Sequence, residues 1–123
     1  MSRYGPQIAA LARRAVRDRR WIDRQDPDTL DEELATSYLR EGVGPAIWIY
    51  VEGRTGGRRV PFSPAELEAL ETAMNDWLEC YTYCYGVEFD AAFTVREAAE
   101  LLLETRNVHD VGLFLTGVPR QER

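Results

Sequence analysis

Six arginines fall within twelve residues near the N-terminus: Arg13, Arg14, Arg17, Arg19, Arg20 and Arg24. A guanidinium group is planar and permanently charged, and it presents its donors as a fork that matches carboxylates and phosphates. At 100° per residue, Arg13, Arg14, Arg17 and Arg20 gather on one side of a helix, while Arg19 falls within the apolar side. Such a row suits a nucleic-acid backbone, an acidic protein surface or the carboxylates of the chain itself. The chain has no lysine, and its charge is divided. Residues 1–25 hold seven Arg against Asp18 and Asp23, a net of +5, whereas residues 26–123 hold eight Arg against nineteen acidic residues, a net of −11. A basic segment on an acidic body predicts an anionic partner or a self-complementary one. Because the body repels a polyanion, the expectation is that the stripe pairs with Glu68, Glu71 and Glu79. Arg19 is expected to snorkel at the helix end. A membrane surface is disfavoured, since the apolar side is Ala-rich and lacks large anchors.

Other residues carry weaker chemistry. Cys80 and Cys84 stand at i, i+4 and with His109 supply three metal ligands. A structural zinc site takes four ligands, and the second pair is missing, so both read as core thiols and no cofactor is expected. His109 is the only histidine, and its neighbour Asp110 does not face it on a helix. No Ser or Cys nucleophile is placed beside it. The stretch Gly53-Arg54-Thr55-Gly56-Gly57-Arg58-Arg59 lacks the phosphate-loop pattern. These absences predict a non-catalytic protein. Trp48, Tyr50 and Tyr83 join Arg13, Arg14, Arg17, Arg20 and Arg24 as candidate partner contacts, because aromatic and arginine side chains dominate protein interfaces.

The elements that must position these residues read as α+β. Pro6 suits the first turn of a helix over 6–21, with Ile8, Leu11, Ala12, Ala15 and Val16 on one side. Asp28 caps a helix over 29–40, and Gly42-Val43-Gly44-Pro45 stops it. The β-branched and aromatic run Ala46-Ile47-Trp48-Ile49-Tyr50-Val51-Glu52, a Gly-rich turn and Arg58-Arg59-Val60-Pro61-Phe62 predict a β-hairpin over 46–62. Its first strand is apolar on both faces, so Trp48 or Tyr50 is expected to be covered by another element or a second subunit. Ser63-Pro64-Ala65-Glu66 is a capping box that opens a helix over 64–85. Leu67, Leu70, Met74, Trp77, Tyr81 and Cys84 form its heptad-like seam. Thr94 and Glu97 open a helix over 95–105. Residues 108–116 fit either a helix capped by Asn107 or a strand, with the helix preferred, and 118–123 read as a tail.

The run Thr94-Val95-Arg96-Glu97-Ala98-Ala99-Glu100-Leu101-Leu102 resembles the first helix of the helix-turn-helix in MerR and excisionase-type DNA binders. The resemblance implies a DNA-reading helix over 108–116. That segment carries His109 and Asp110 but no Arg, and Leu103 to Asn107 stand where the family has a tight turn. A helix without basic or amide side chains has nothing with which to read bases.

The whole predicts one domain of four or five helices around a hairpin, long enough to bury a core. No segment reaches the length of a membrane-spanning helix and no signal peptide precedes the arginines, so a soluble cytoplasmic protein is expected. The lysine-free, acidic composition is compatible with a GC-rich genome or an extreme halophile. The leading functional expectation is an interaction or regulatory protein, acting on a protein partner or as a homodimer through the 64–85 helix or the hairpin. The alternative is a nucleic-acid binder using the arginine stripe and the hairpin tip.

Overall fold

Residues 3–55 and 62–120 are described by a computed structural model. They fold into helices, and no strand occurs among them. The first helix, α1 (Gly5–Ile22), carries Pro6 in its first turn and buries Gly5, Ile8, Leu11, Ala15 and Ile22, the i, i+3, i+4 stripe that a half-buried helix requires. A 3₁₀ turn (Pro27–Thr29) follows, capped by Asp26. Asp31, not Asp28, then caps α2 (Glu32–Tyr38) by accepting the Leu34 N–H.

The chain does not stop at Gly42-Val43-Gly44-Pro45. It passes through a π-helical turn (Leu39–Val43), in which the Gly44 N–H bonds back to the Leu39 carbonyl, and continues as α3 (Gly44–Thr55). The wider turn accommodates Pro45, which has no N–H to give the carbonyl of Glu41.

This continuous rod replaces the predicted β-hairpin over 46–62 and makes the protein all-helical instead of α+β. The reason lies in burial. Val43, Ala46, Ile47, Ile49 and Val51 are all buried, and α3 packs against α4, α5 and α1. A helix that is apolar nearly all round is at home between others, and tertiary packing there outweighs the modest β preference of Ile, Val and Trp. Gly53, read as a turn residue, lies inside α3 because the Phe62 ring packs on it; a Cβ there would stand 2.3 Å from Phe62 Cζ. Gly56 to Pro61, with Arg58 and Arg59 of the predicted tip, lie outside the described residues, as do Gln121 to Arg123 of the predicted tail.

The central helix is α4 (Pro64–Tyr83), opened by the reciprocal Ser63–Glu66 box. Leu70, Met74, Trp77, Leu78 and Cys80 are fully buried. All the other helices and the π turn pack on it, with α1 lying along it most extensively. The seam is therefore filled within the chain. The remaining helices are α5 (Val95–Thr105), with the Thr94–Glu97 box, and α6 (Val108–Thr116), a helix capped by Asn107. Among the described residues no helix is long and apolar enough to cross a membrane.

Candidate functional site: an arginine face and a cleft at the π turn

α1 turns its apolar side to α4, so its arginine stripe points away from the α4 carboxylates. Arg13, Arg17, Arg20 and Arg24 are exposed, grouped around Val16, which is 41% exposed, and close in sequence to Trp21, which is 43% exposed. Among the described residues none of these four pairs with a carboxylate. The expected pairing with Glu68, Glu71 and Glu79 does not occur. Arg19, from the apolar side, is the residue that meets α4: it reaches Glu79 at 3.2 Å and Asp23 at 3.5 Å instead of snorkelling into water. Glu79 also accepts the Ala91 N–H at 2.9 Å, and Glu71 accepts the Val95 N–H at 3.1 Å, so both are spent on ordering the approach to α5. Glu68 is exposed.

Arg14 leaves the stripe for a different role. Its guanidinium lies over the Trp77 ring, 5.1 Å from the centroid, and donates to the backbone carbonyl of Glu41. That carbonyl is the one Pro45 cannot serve, so the stripe supplies the donor that the rod lacks. On the same floor Trp77 Nε1 donates to Asp18 Oδ2 at 2.9 Å. These contacts line a cleft of about 710 Å³ between α1 and the α2–π–α3 rod, walled by Arg14, Arg17 and Arg40 with Asp18, Glu41 and Tyr38. Burial, then the nearby Cys80, Asp18 and Cys84, hold the Tyr38 phenol well above its usual range, so it stays protonated. Arg17 lines both the cleft and the outer face, which makes the two one surface.

The other sequence-picked residues lie elsewhere. Tyr83 is half-buried and donates to the Gln25 carbonyl at 2.6 Å, tying α4 to the exit of α1. Tyr50 stacks on Phe62 with centroids 6.2 Å apart and carries Arg54 over its face, 5.7 Å away. Trp48 is half exposed, in a groove against α5. Cys80 and Cys84 are buried free thiols, and burial pushes the Cys84 thiol up to about 11. Among the described residues no three His, Cys, Asp or Glu side chains are grouped to hold a metal ion. His109 is exposed, and α6 brings no arginine to any surface. Tyr38, Arg40, Asp18 and Trp77 meet in a cleft that no local sequence pattern announces. The available signal was Gly42 and Pro45 inside a helical apolar pattern, which marks close backbone packing as readily as a stop.

The described residues form an all-helical protein with an exposed, arginine-rich face on α1. Residues 2–120 match the family described as Domain of unknown function (DUF8055), and the chain belongs to that family. No curated protein and no solved structure matches it.

Proposed function

We propose that the protein is a non-catalytic interaction protein that holds an acidic segment of a protein partner along the outward face of α1. One observation carries the reading: Arg13, Arg17, Arg20 and Arg24 share an exposed face with no carboxylate partner among the described residues. Unpaired guanidinium forks on a rigid helix are pre-organised for carboxylates.

Two features favour a protein over a nucleic acid. The face is short, about 15 Å of helix, and Asp26, Asp28, Asp31, Glu32 and Glu33 stand exposed just beyond its Arg24 end. A nucleic-acid strand carries a charge about every 3.4 Å and would run onto those carboxylates. A protein segment places its acids only where the arginines are. Val16 and Trp21 offer apolar contacts for the side chains between them.

The test is fluorescence anisotropy with a labelled peptide of alternating glutamate and apolar residues, and with labelled single-stranded and duplex oligonucleotides, across a salt series. The expected result is peptide binding that weakens with salt and is lost on combining Arg13→Gln, Arg17→Gln and Arg20→Gln. Oligonucleotide binding with log K falling at about −0.9 per contact against log salt, reduced by about two units in Arg13→Gln with Arg17→Gln, replaces this reading with the nucleic-acid one. No binding of either probe overturns the face as a binding surface.

A further inference from the structure

The cleft between α1 and the π turn has the size and the lining of a small-molecule site. Its volume of about 710 Å³ lies within the range of such sites, about 300–1,000 Å³. Trp21 and Trp77 give it flat apolar surface, and its polar groups are graded by depth. Tyr38 and Trp77 are buried and Asp18 is half-buried, whereas Arg17 and Arg40 are exposed.

Tyr38 is the clearest mark at the inner end. The residue is 7% exposed, yet its hydroxyl has no hydrogen-bond partner among the described residues. No fully enclosed side-chain polar atom among those residues lacks a partner, so this hydroxyl keeps a small accessible surface, and the space that Tyr38 lines is the cleft. Burial keeps the phenol protonated, so it is a donor without an acceptor. Such a group costs free energy that a bound acceptor would offset. Asp18 lies near enough to Tyr38 to add to that effect. It gives one carboxylate oxygen to Trp77 Nε1 at 2.9 Å and keeps the other. A donor and an acceptor side by side match a hydroxyl group, which accepts from one and donates to the other.

The outer end carries charge. Arg14 is committed to the Trp77 ring and the Glu41 carbonyl. Arg17, and Arg40 at the rim that the cleft shares with the α3–α5 groove, form no ion pair among the described residues, although Asp18 and Glu41 line the same space. Three arginines against two carboxylates leave a net of +1 in the lining. That balance suits a single negative charge, and guanidinium forks match a carboxylate. Between the two ends Trp21, 43% exposed, offers a face for a ring.

We propose that the cleft binds a small aromatic hydroxycarboxylate, with its carboxylate at Arg17 and Arg40, its ring against Trp21 and its hydroxyl between Tyr38 and Asp18. Tyr38, Asp18 and Arg40 take no part in the outward face of α1, so this reading and the acidic-segment reading fail separately.

Isothermal titration calorimetry with 4-hydroxybenzoate tests it, with benzoate and 4-hydroxybenzamide as comparators. The expected result is one 4-hydroxybenzoate per chain, with benzoate, which lacks the hydroxyl, and the uncharged amide each weaker by about tenfold or more. Tyr38→Phe removes a hydroxyl that bonds nothing in the chain, so the thermal midpoint is kept. It weakens 4-hydroxybenzoate about tenfold and leaves benzoate unchanged. Arg40→Gln weakens both carboxylates and leaves the amide unchanged. Absence of binding by all three probes at millimolar concentration overturns the proposal, as does 4-hydroxybenzoate binding that is indifferent to Tyr38→Phe. Benzoate or the amide binding as tightly as 4-hydroxybenzoate overturns the assigned ligand class.

Discussion

Gly42→Ala is the sharpest probe of the cleft. Gly42 sits in the π turn with the Trp77 indole across it. A Cβ at this position would stand 2.4 Å from Trp77 Cδ2, 2.6 Å from Cγ and 2.8 Å from Cε2. Carbon atoms in ordinary contact are ~3.5–4.0 Å apart, so the ring must retreat by about 1 Å. Little allows it to do so. Trp77 is fully buried, Arg14 lies over its ring, and its Nε1 is bonded to Asp18. Overpacking a rigid core costs ~1–3 kcal/mol. Disturbing a hydrogen bond to a carboxylate adds ~1.5–3 kcal/mol. Against these, alanine in a helix interior gains ~1 kcal/mol over glycine. The steric side wins, and the net loss is about 3 kcal/mol. For a chain of this size that lowers the thermal midpoint by about 10 °C. Far-UV circular dichroism with tryptophan fluorescence measures it. A midpoint that is unchanged or raised would refute the packing of Trp77 on Gly42, and the described cleft floor would fall with it.

Three further outcomes follow from the same geometry. Thr94→Ala removes the hydroxyl that accepts the Glu97 N–H at 3.1 Å and should cost about 1 kcal/mol in denaturant unfolding; a neutral result contradicts the cap. Burial first, then Glu79, raises the Asp76 pKa, with Arg19 opposing. The folded chain therefore holds that proton more tightly than the unfolded chain, and ionised Asp76 costs stability at neutral pH. That cost fades as pH falls through the raised pKa. Asp76→Asn should thus raise the midpoint at neutral pH, with the gain shrinking towards about pH 4; a pH-independent gain rejects the assignment. Burial also raises both thiol pKa values. Cys80 and Cys84 should resist iodoacetamide at neutral pH until the protein is unfolded, and rapid labelling of the folded chain would count against this.

The bounds of α1, α4 and α5 were legible because their signals are local. Pro6 opens α1 through its own fixed φ. Ser63 with Glu66, and Thr94 with Glu97, cap by side chains that reach only three residues along the chain. The burial of Leu70, Met74 and Trp77 followed from a period that any packed helix imposes. The arginine stripe was equally plain as a pattern, since it needs only the 100° step of a helix.

Its partners were not legible. Which carboxylate a guanidinium meets depends on how α1 is rotated against α4, and that rotation sends Arg19 to Glu79 and turns Arg13, Arg17 and Arg20 outward. Residues 44–55 show the same division. Ile47, Ile49 and Val51 carry a β preference worth a fraction of a kilocalorie each, and Gly42 with Pro45 carries a stop signal. The decision between strand and helix came from outside the segment: an indole that needs a glycine beneath it, an Arg14 that supplies the donor Pro45 lacks, and neighbours on several sides that bury Val43, Ala46, Ile47, Ile49 and Val51. The sequence by itself determined where helices begin and which faces are apolar or basic, because capping and periodicity act over a few residues. Only the tertiary structure decided that α3 is a helix, that a cleft opens at the π turn, and that Arg13, Arg17 and Arg20 meet no carboxylate among the described residues, because each rests on contacts between residues far apart in the chain.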